Sequence, residues 1–339
     1  MEGRSLQFSV AFTLVALRRS RDGMATRAKM ASDRQTSREH TGDQARDVQA
    51  RDDVPELSPV GLERHFVPYD DMADKLPRSP IVVKRRQDEQ GMWVIGSDHS
   101  RDPEHRNYRA IDEAVQGLRE GGANRKRLIL VEGGVRDLVP GRDLNATITG
   151  QDGGDMAALC WYGQEYGIDV DSPEPDTDPT RRYPEVRILE KTFDRDAIML
   201  YYFGRQIPQY NRTKQEMRGE FEAYMERTLS GYRKAFEQRP FWKGFDFSYG
   251  NLRRIYDKFY PERPFDPNDS EFFLSQMSEP WNKGSEVQLV TRAANHERDK
   301  TLAGTLQQHW REGTSLVCAM GLYHVYRIKP FLDTLGKQG

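Results

Sequence analysis

Cysteine is nearly absent. The 339 residues hold two, Cys160 and Cys318, too few for a disulfide scaffold or a cysteine-based zinc finger. Also missing is any apolar run of the roughly 18 residues that a membrane span needs. Neither sign of charge dominates: 51 Lys and Arg stand against 53 Asp and Glu, a formal charge of −2. That balance gives no global attraction for nucleic acid or an anionic membrane. The glycines form neither a G-x-G-x-x-G nor a P-loop, so nucleotide binding has no motif. No repeat recurs at solenoid periods. These absences leave a globular protein of the reducing, cytoplasmic kind, and they carry no information on oligomeric state.

Apolar bulk is also thin on average, with a mean hydropathy of −0.84. The deficit gathers at the N-terminus. Residues 18–53 contain no Phe, Trp, Tyr, Ile or Leu, and such a stretch cannot bury enough area to offset its ordering entropy. A disordered tail over 1–76 is expected. Ahead of it, residues 6–17 (LQFSVAFTLVAL) resemble the apolar centre of a signal peptide. The Arg pair follows that run instead of preceding it, and no small-x-small site comes next. Secretion is therefore the alternative, as is translation starting at Met24 or Met30.

Fifteen Phe, fifteen Tyr and five Trp remain to build a core. From 77 onward the pattern alternates. Runs at 81–83 and 92–95 suit a hairpin. Tyr108, Ile111, Val115 and Leu118 recur at helical spacing, closed by Gly121. LILV at 128–131 reads as a buried strand. Asp155 caps a helix that Gly167 ends, and a strand begins at Ile168. This order predicts an α/β fold, a parallel-rich mixed sheet flanked by helices, over 77–339. Within it, 193–286 is an all-helical insertion crowded with aromatics, whose expected job is core packing. A helix over 287–311, a strand over 315–320 and a final helix over 326–335 complete the pattern.

Three strand ends carry chemistry. Met92–Ile95 runs into Gly96-Ser97-Asp98-His99, and Val317–Met320 runs into Gly321-Leu322-Tyr323-His324. Both are an apolar strand followed by G-x-x-H. Between them, the strand at 128–131 ends in Glu132. In open parallel sheets, ligands bind beyond the carboxyl ends of the strands. Two imidazoles and a carboxylate there suit a divalent cation such as Mn, Co or Zn. Asp98, beside His99, would orient that imidazole.

The segments VIGSDHS, LILVEGGVRD, GDMAALCWYGQEYGIDVDSPEPD and HERDKTLAGTLQQHWREGTSLVCAMGLYHV resemble, in order and spacing, the TraB/ChaN/Tiki superfamily, which includes the erythromycin esterases. The resemblance covers roughly 90–180 and 287–335. It implies that His99, Glu132 and His324 occupy metal or catalytic positions, with Glu174 and Arg298 near the site. It further implies one of three activities: metal-dependent peptide cleavage, metal-independent ester hydrolysis, or haem binding. Ser97 departs from the esterase pattern, where a glutamate follows the first motif glycine. Tyr323 is the candidate ligand if haem binds. The expected function is hydrolysis of a peptide or ester bond in a peptide or small-molecule substrate, with Glu174 or Glu132 as base toward water. The alternatives are a haem or other apolar-ligand binder, and a regulatory protein with a degenerate site.

Overall fold

The computed structural model describes residues 59–335, apart from 74, 122–124, 134, 136–137, 151–152, 175–184 and 213–218. The expected tail before residue 59, its apolar run and the candidate starts lie outside the described residues. Five strands form one sheet: β1 (Ile81–Gln87), β2 (Gln90–Ser97), β3 (Arg127–Val131), β4 (Asp169–Asp171) and β5 (Ser315–Gly321), in the order β1-β2-β5-β3-β4. The β1–β2 hairpin is antiparallel, and the other three pairings are parallel. The fold is α/β with a mixed, mostly parallel sheet flanked by helices.

Every residue of β2 and β5 is buried, which explains their unbroken apolar runs. A strand covered on both faces has no reason to alternate. Helices α1 (Arg106–Glu120), α2 (Leu144–Thr149) and α3 (Asp155–Tyr166) come next in the chain. Ile111, Val115 and Leu118 of α1 and Leu159 of α3 pack against Trp93, Ile95, Ile129 and Val317 of the sheet. Asp155 opens α3 instead of capping it. The preceding residue is Gly154, with φ 97°, and no side chain caps that end.

After β4, the described residues are helical through α4 (Val186–Thr192), α5 (Arg195–Gly204), α6 (Gln206–Arg212), α7 (Phe221–Phe236), α8 (Tyr249–Phe259), α9 (Ser270–Met277) and α10 (Glu286–Arg311). Their aromatics form a core of their own in which Tyr201, Phe203, Phe236, Trp242, Tyr256 and Phe273 are at most 2% exposed. Each such side chain contributes about 1.5–3 kcal/mol relative to exposure. Strand β5 then passes straight into α11 (Leu322–Leu332), which packs on β1 and β2. The sequence placed this helix four residues later, because no loop residue separates it from the strand. His324 is thus helical.

One expectation about the tail is corrected. Residues 59–72 are folded: Leu62, Phe66, Tyr69 and Met72 are all buried. They form a helical turn, Pro59–Leu62, and two 3-10 turns, Glu63–His65 and Tyr69–Asp71. Extended backbone at Phe66–Pro68 separates these turns, so no single helical period runs through the segment. Among the described residues no helix is long and apolar enough to cross a membrane.

Candidate functional site

Register brings the three strand ends together. β5 lies between β2 and β3, with Ser97 opposite Gly321 and Val131 opposite Ala319. The chain therefore leaves all three strands at one level, at the carboxyl edge of the sheet. His99 Nε2 lies 3.7 Å from Glu132 Oε2, and His324 Nε2 lies 3.8 Å from Glu132 Oε1. All three side chains are less than a tenth exposed.

The two motif glycines serve different ends. A Cβ on Gly96 would lie 2.9 Å from Val325 Cβ and 3.3 Å from the Leu322 backbone. Gly96 is what lets β2 pass the first turn of α11. A Cβ on Gly321 would meet His324 Cδ2, His99 Nε2 and Glu132 Oε2 at 3.4, 3.5 and 3.6 Å. That is ordinary contact, inside the cleft. Gly96→Ala should therefore lower stability by about 1–3 kcal/mol through overpacking, read as a lower denaturant midpoint at unchanged slope. An unchanged midpoint would contradict this close packing.

Each imidazole is anchored by an aspartate. His99 Nδ1 lies 3.0 and 3.1 Å from the two Asp155 oxygens, and Ser97 Oγ donates to Asp155 Oδ2. His324 Nδ1 is paired with Asp299 Oδ1. Burial opposes the charge of both aspartates, yet the histidine partners, with Ser97 or Arg327, hold both carboxyls below their usual range. An ionised carboxylate only accepts, so each Nδ1 carries a proton and each Nε2 is left facing Glu132. His99 takes this position at φ 55°, a left-handed conformation uncommon outside glycine.

Glu132 is fully engaged. Oε1 accepts from Arg298 Nη2 at 2.8 Å and Oε2 from the Gly321 N–H at 2.5 Å. Burial alone would raise its carboxyl; His324, Arg298, His99 and the Gly321 N–H bring it down to about 2. Arg298 also binds Glu174 Oε1 through Nε and Nη2, at 2.9 and 2.5 Å. Glu174 Oε2 accepts the Gly133 N–H at 3.0 Å. Arg298 thus ties two strand exits together.

Asp98 is not the partner of His99. Its carboxylate accepts from Asn107 Nδ2 at 2.7 Å and lies 3.6 Å from His105 Nε2, so it fixes the start of α1; Asp155 holds the imidazole. His105 is spent in the same place, accepting from the Asn107 N–H. Tyr323 is buried, its hydroxyl donates to Asn295 Oδ1 at 2.6 Å, and its ring packs 4.0 Å from that of His324. An occupied, buried phenol is poorly disposed to bind haem iron.

A divalent cation fits this donor set badly. Coordinating atoms would stand about 2.0–2.2 Å from zinc, but the Glu132 oxygens already hold a guanidinium and an amide, and each imidazole faces a different oxygen. Among the described residues no group of three His, Cys, Asp or Glu side chains has a metal-site arrangement. Arg298 supplies beside Glu132 the positive charge a metal would bring.

Sequence reasoning missed Asp155 and Asp299, and beside them Ser97, Tyr69 and Arg327. For Asp299 a signal existed: Thr291, Asn295, Arg298, Asp299 and Leu302 follow the inward stripe of α10, while Glu297 and Lys300 pair outside it. The Ser97 departure also has a local reason, since its hydroxyl serves Asp155. No protein-family model matches the chain, and no curated protein or solved structure matches it either.

Proposed function

We propose that the chain is a hydrolase of ester or peptide bonds in which His99 and His324 act as paired acid–base groups, with no metal in the reacting centre. The observation that carries this reading is the pair of aspartate-anchored imidazoles, each with Nε2 within 4 Å of one shared carboxylate. Imidazole is suited to moving protons near neutral pH. One Nε2 takes a proton from water as the water oxygen bonds to the substrate carbonyl carbon. The other, protonated, gives its proton to the departing alcohol or amine as the C–O or C–N bond breaks. The products are a carboxylic acid and that alcohol or amine. Glu132 supplies the negative charge that steadies either imidazolium. Glu174 serves by holding Arg298 and the Gly133 N–H rather than as base. The resemblance to the TraB/ChaN/Tiki superfamily supports hydrolysis as the reaction class, although Ser97 departs from its metal-independent esterase branch.

The test is hydrolysis of 4-nitrophenyl esters and a fluorogenic peptide panel by the purified full chain, before and after exhaustive EDTA treatment. Turnover that survives the chelator and is not raised by added Mn, Co or Zn is expected. Turnover abolished by EDTA and restored by one of these ions would overturn the metal-free mechanism. No turnover on either panel would overturn the hydrolase reading.

A further inference from the structure

The two dyads are braced differently. Asp155 is held close at hand, by the Ser97 hydroxyl at the end of β2 and the Met156 N–H of its own helix α3. Asp299, completely buried, is braced from outside. Its Oδ1 faces His324 Nδ1, while Oδ2 accepts from Arg327 Nη1 and, at 2.9 Å, from the Tyr69 hydroxyl. Tyr69 belongs to the segment that precedes the first strand and adds nothing to the sheet.

We propose that Tyr69 is a positioning residue for His324, and that residues 59–72 are a strap completing the second dyad. The catalytic part of this inference rests on the hydrolase reading; the positioning part does not. A carboxylate turns about its last torsion, and the direction of Oδ1 is fixed only if Oδ2 is also engaged. Arg327 engages it with charge, and Tyr69 adds a directed hydroxyl on the same oxygen. The guanidinium is itself aligned by the strap, stacked 3.9 Å over the Tyr69 ring and 5.1 Å over that of Phe66.

The strap also bridges the two helices that carry the dyad. Toward α11, which bears His324, the Val67 N–H donates to the Arg327 carbonyl at 2.9 Å, and Phe66 packs against Phe331. Toward α10, which bears Asp299, Asp70 pairs with Arg292 at 2.7 Å and Glu63 with Lys300 at 3.7 Å. Separation of α10 from α11 would stretch the His324–Asp299 contact, and the strap spans that seam.

Tyr69→Phe tests this, because it keeps the ring on Arg327 and deletes only the hydroxyl. Two readouts are taken on the full chain: kcat and KM on a 4-nitrophenyl ester, and proton spectra of the low-field Nδ1–H resonances of the aspartate-bound histidines. Those resonances are assigned by their loss in His99→Asn and His324→Asn. The expected result is a fall in kcat of about tenfold or more, little change in KM, and a shifted or broadened His324 resonance beside an unmoved His99 resonance. An unmoved His324 resonance, or equal displacement of both, would overturn the proposal. If the wild type hydrolyses nothing, the hydrolase reading falls and the resonances still decide the strap.

Discussion

Arg298→Met is expected to destabilise the fold by about 3–5 kcal/mol, the loss that follows when one partner of a buried ion pair is removed. Arg298 is 5% exposed at its side chain, Glu132 9% and Glu174 17%. Methionine fills much of the same volume, so the deficit is one of charge and hydrogen bonding rather than of packing. Without the guanidinium, Glu132 and Glu174 become two carboxylates near each other with little water to screen them. Arg298→Lys retains a cation, yet a single ammonium cannot reproduce the fork that reaches both glutamates, so its loss should be intermediate. Denaturant titration checks both variants. A cost under about 1 kcal/mol for Arg298→Met would show that the trio behaves as a solvated surface pair.

Together with His324, the same residue sets an acid limit. The Glu132 carboxyl is held at about 2 against an ordinary 4.5. A depressed carboxylate contributes stability that is complete above the unfolded value and is lost as pH falls toward the folded one. Wild-type stability should therefore decline between pH 4.5 and about 2, by on the order of 3 kcal/mol from this group alone. In Arg298→Met that decline should be smaller, because part of what holds the carboxyl down is gone.

Much of the sheet was legible because buried parallel strands announce themselves. The β2, β3 and β5 runs are short, apolar and punctuated by glycine, and their exits carry His99, Glu132 and His324. The partners of those residues were much harder to read. Asp155 sits at a helix start, where an acid is usually a cap, and nothing local reveals that its carboxylate turns 56 residues back to His99. Asp299 lies beside three charged neighbours, and charge alone suggested a solvated face. The strap was lost for a third reason. A few apolar residues in a polar stretch gain their meaning only from α10 and α11, which follow more than 200 residues later. Strand exits are thus local facts of sequence, while the groups that orient them are facts of topology.

His99→Asn and His324→Asn should each lower kcat by about 10²–10⁴, the usual contribution of a general acid or base. Asparagine is the informative replacement at both positions. Its amide reaches about as far as Nδ1, so the hydrogen bond to Asp155 or Asp299 can persist while Nε2 is deleted. At position 99 it also tolerates the left-handed backbone, φ 55° here, better than alanine does. Each variant should therefore stay folded, and the loss reports chemistry. If the two imidazoles hand protons to opposite ends of one reaction, the double variant should be scarcely slower than the worse single one, as for groups that act as a unit. Multiplicative losses would instead mean two independent contributions. Retention of activity within about tenfold in His324→Asn would leave a single-histidine mechanism and remove the reason for a second, separately braced aspartate.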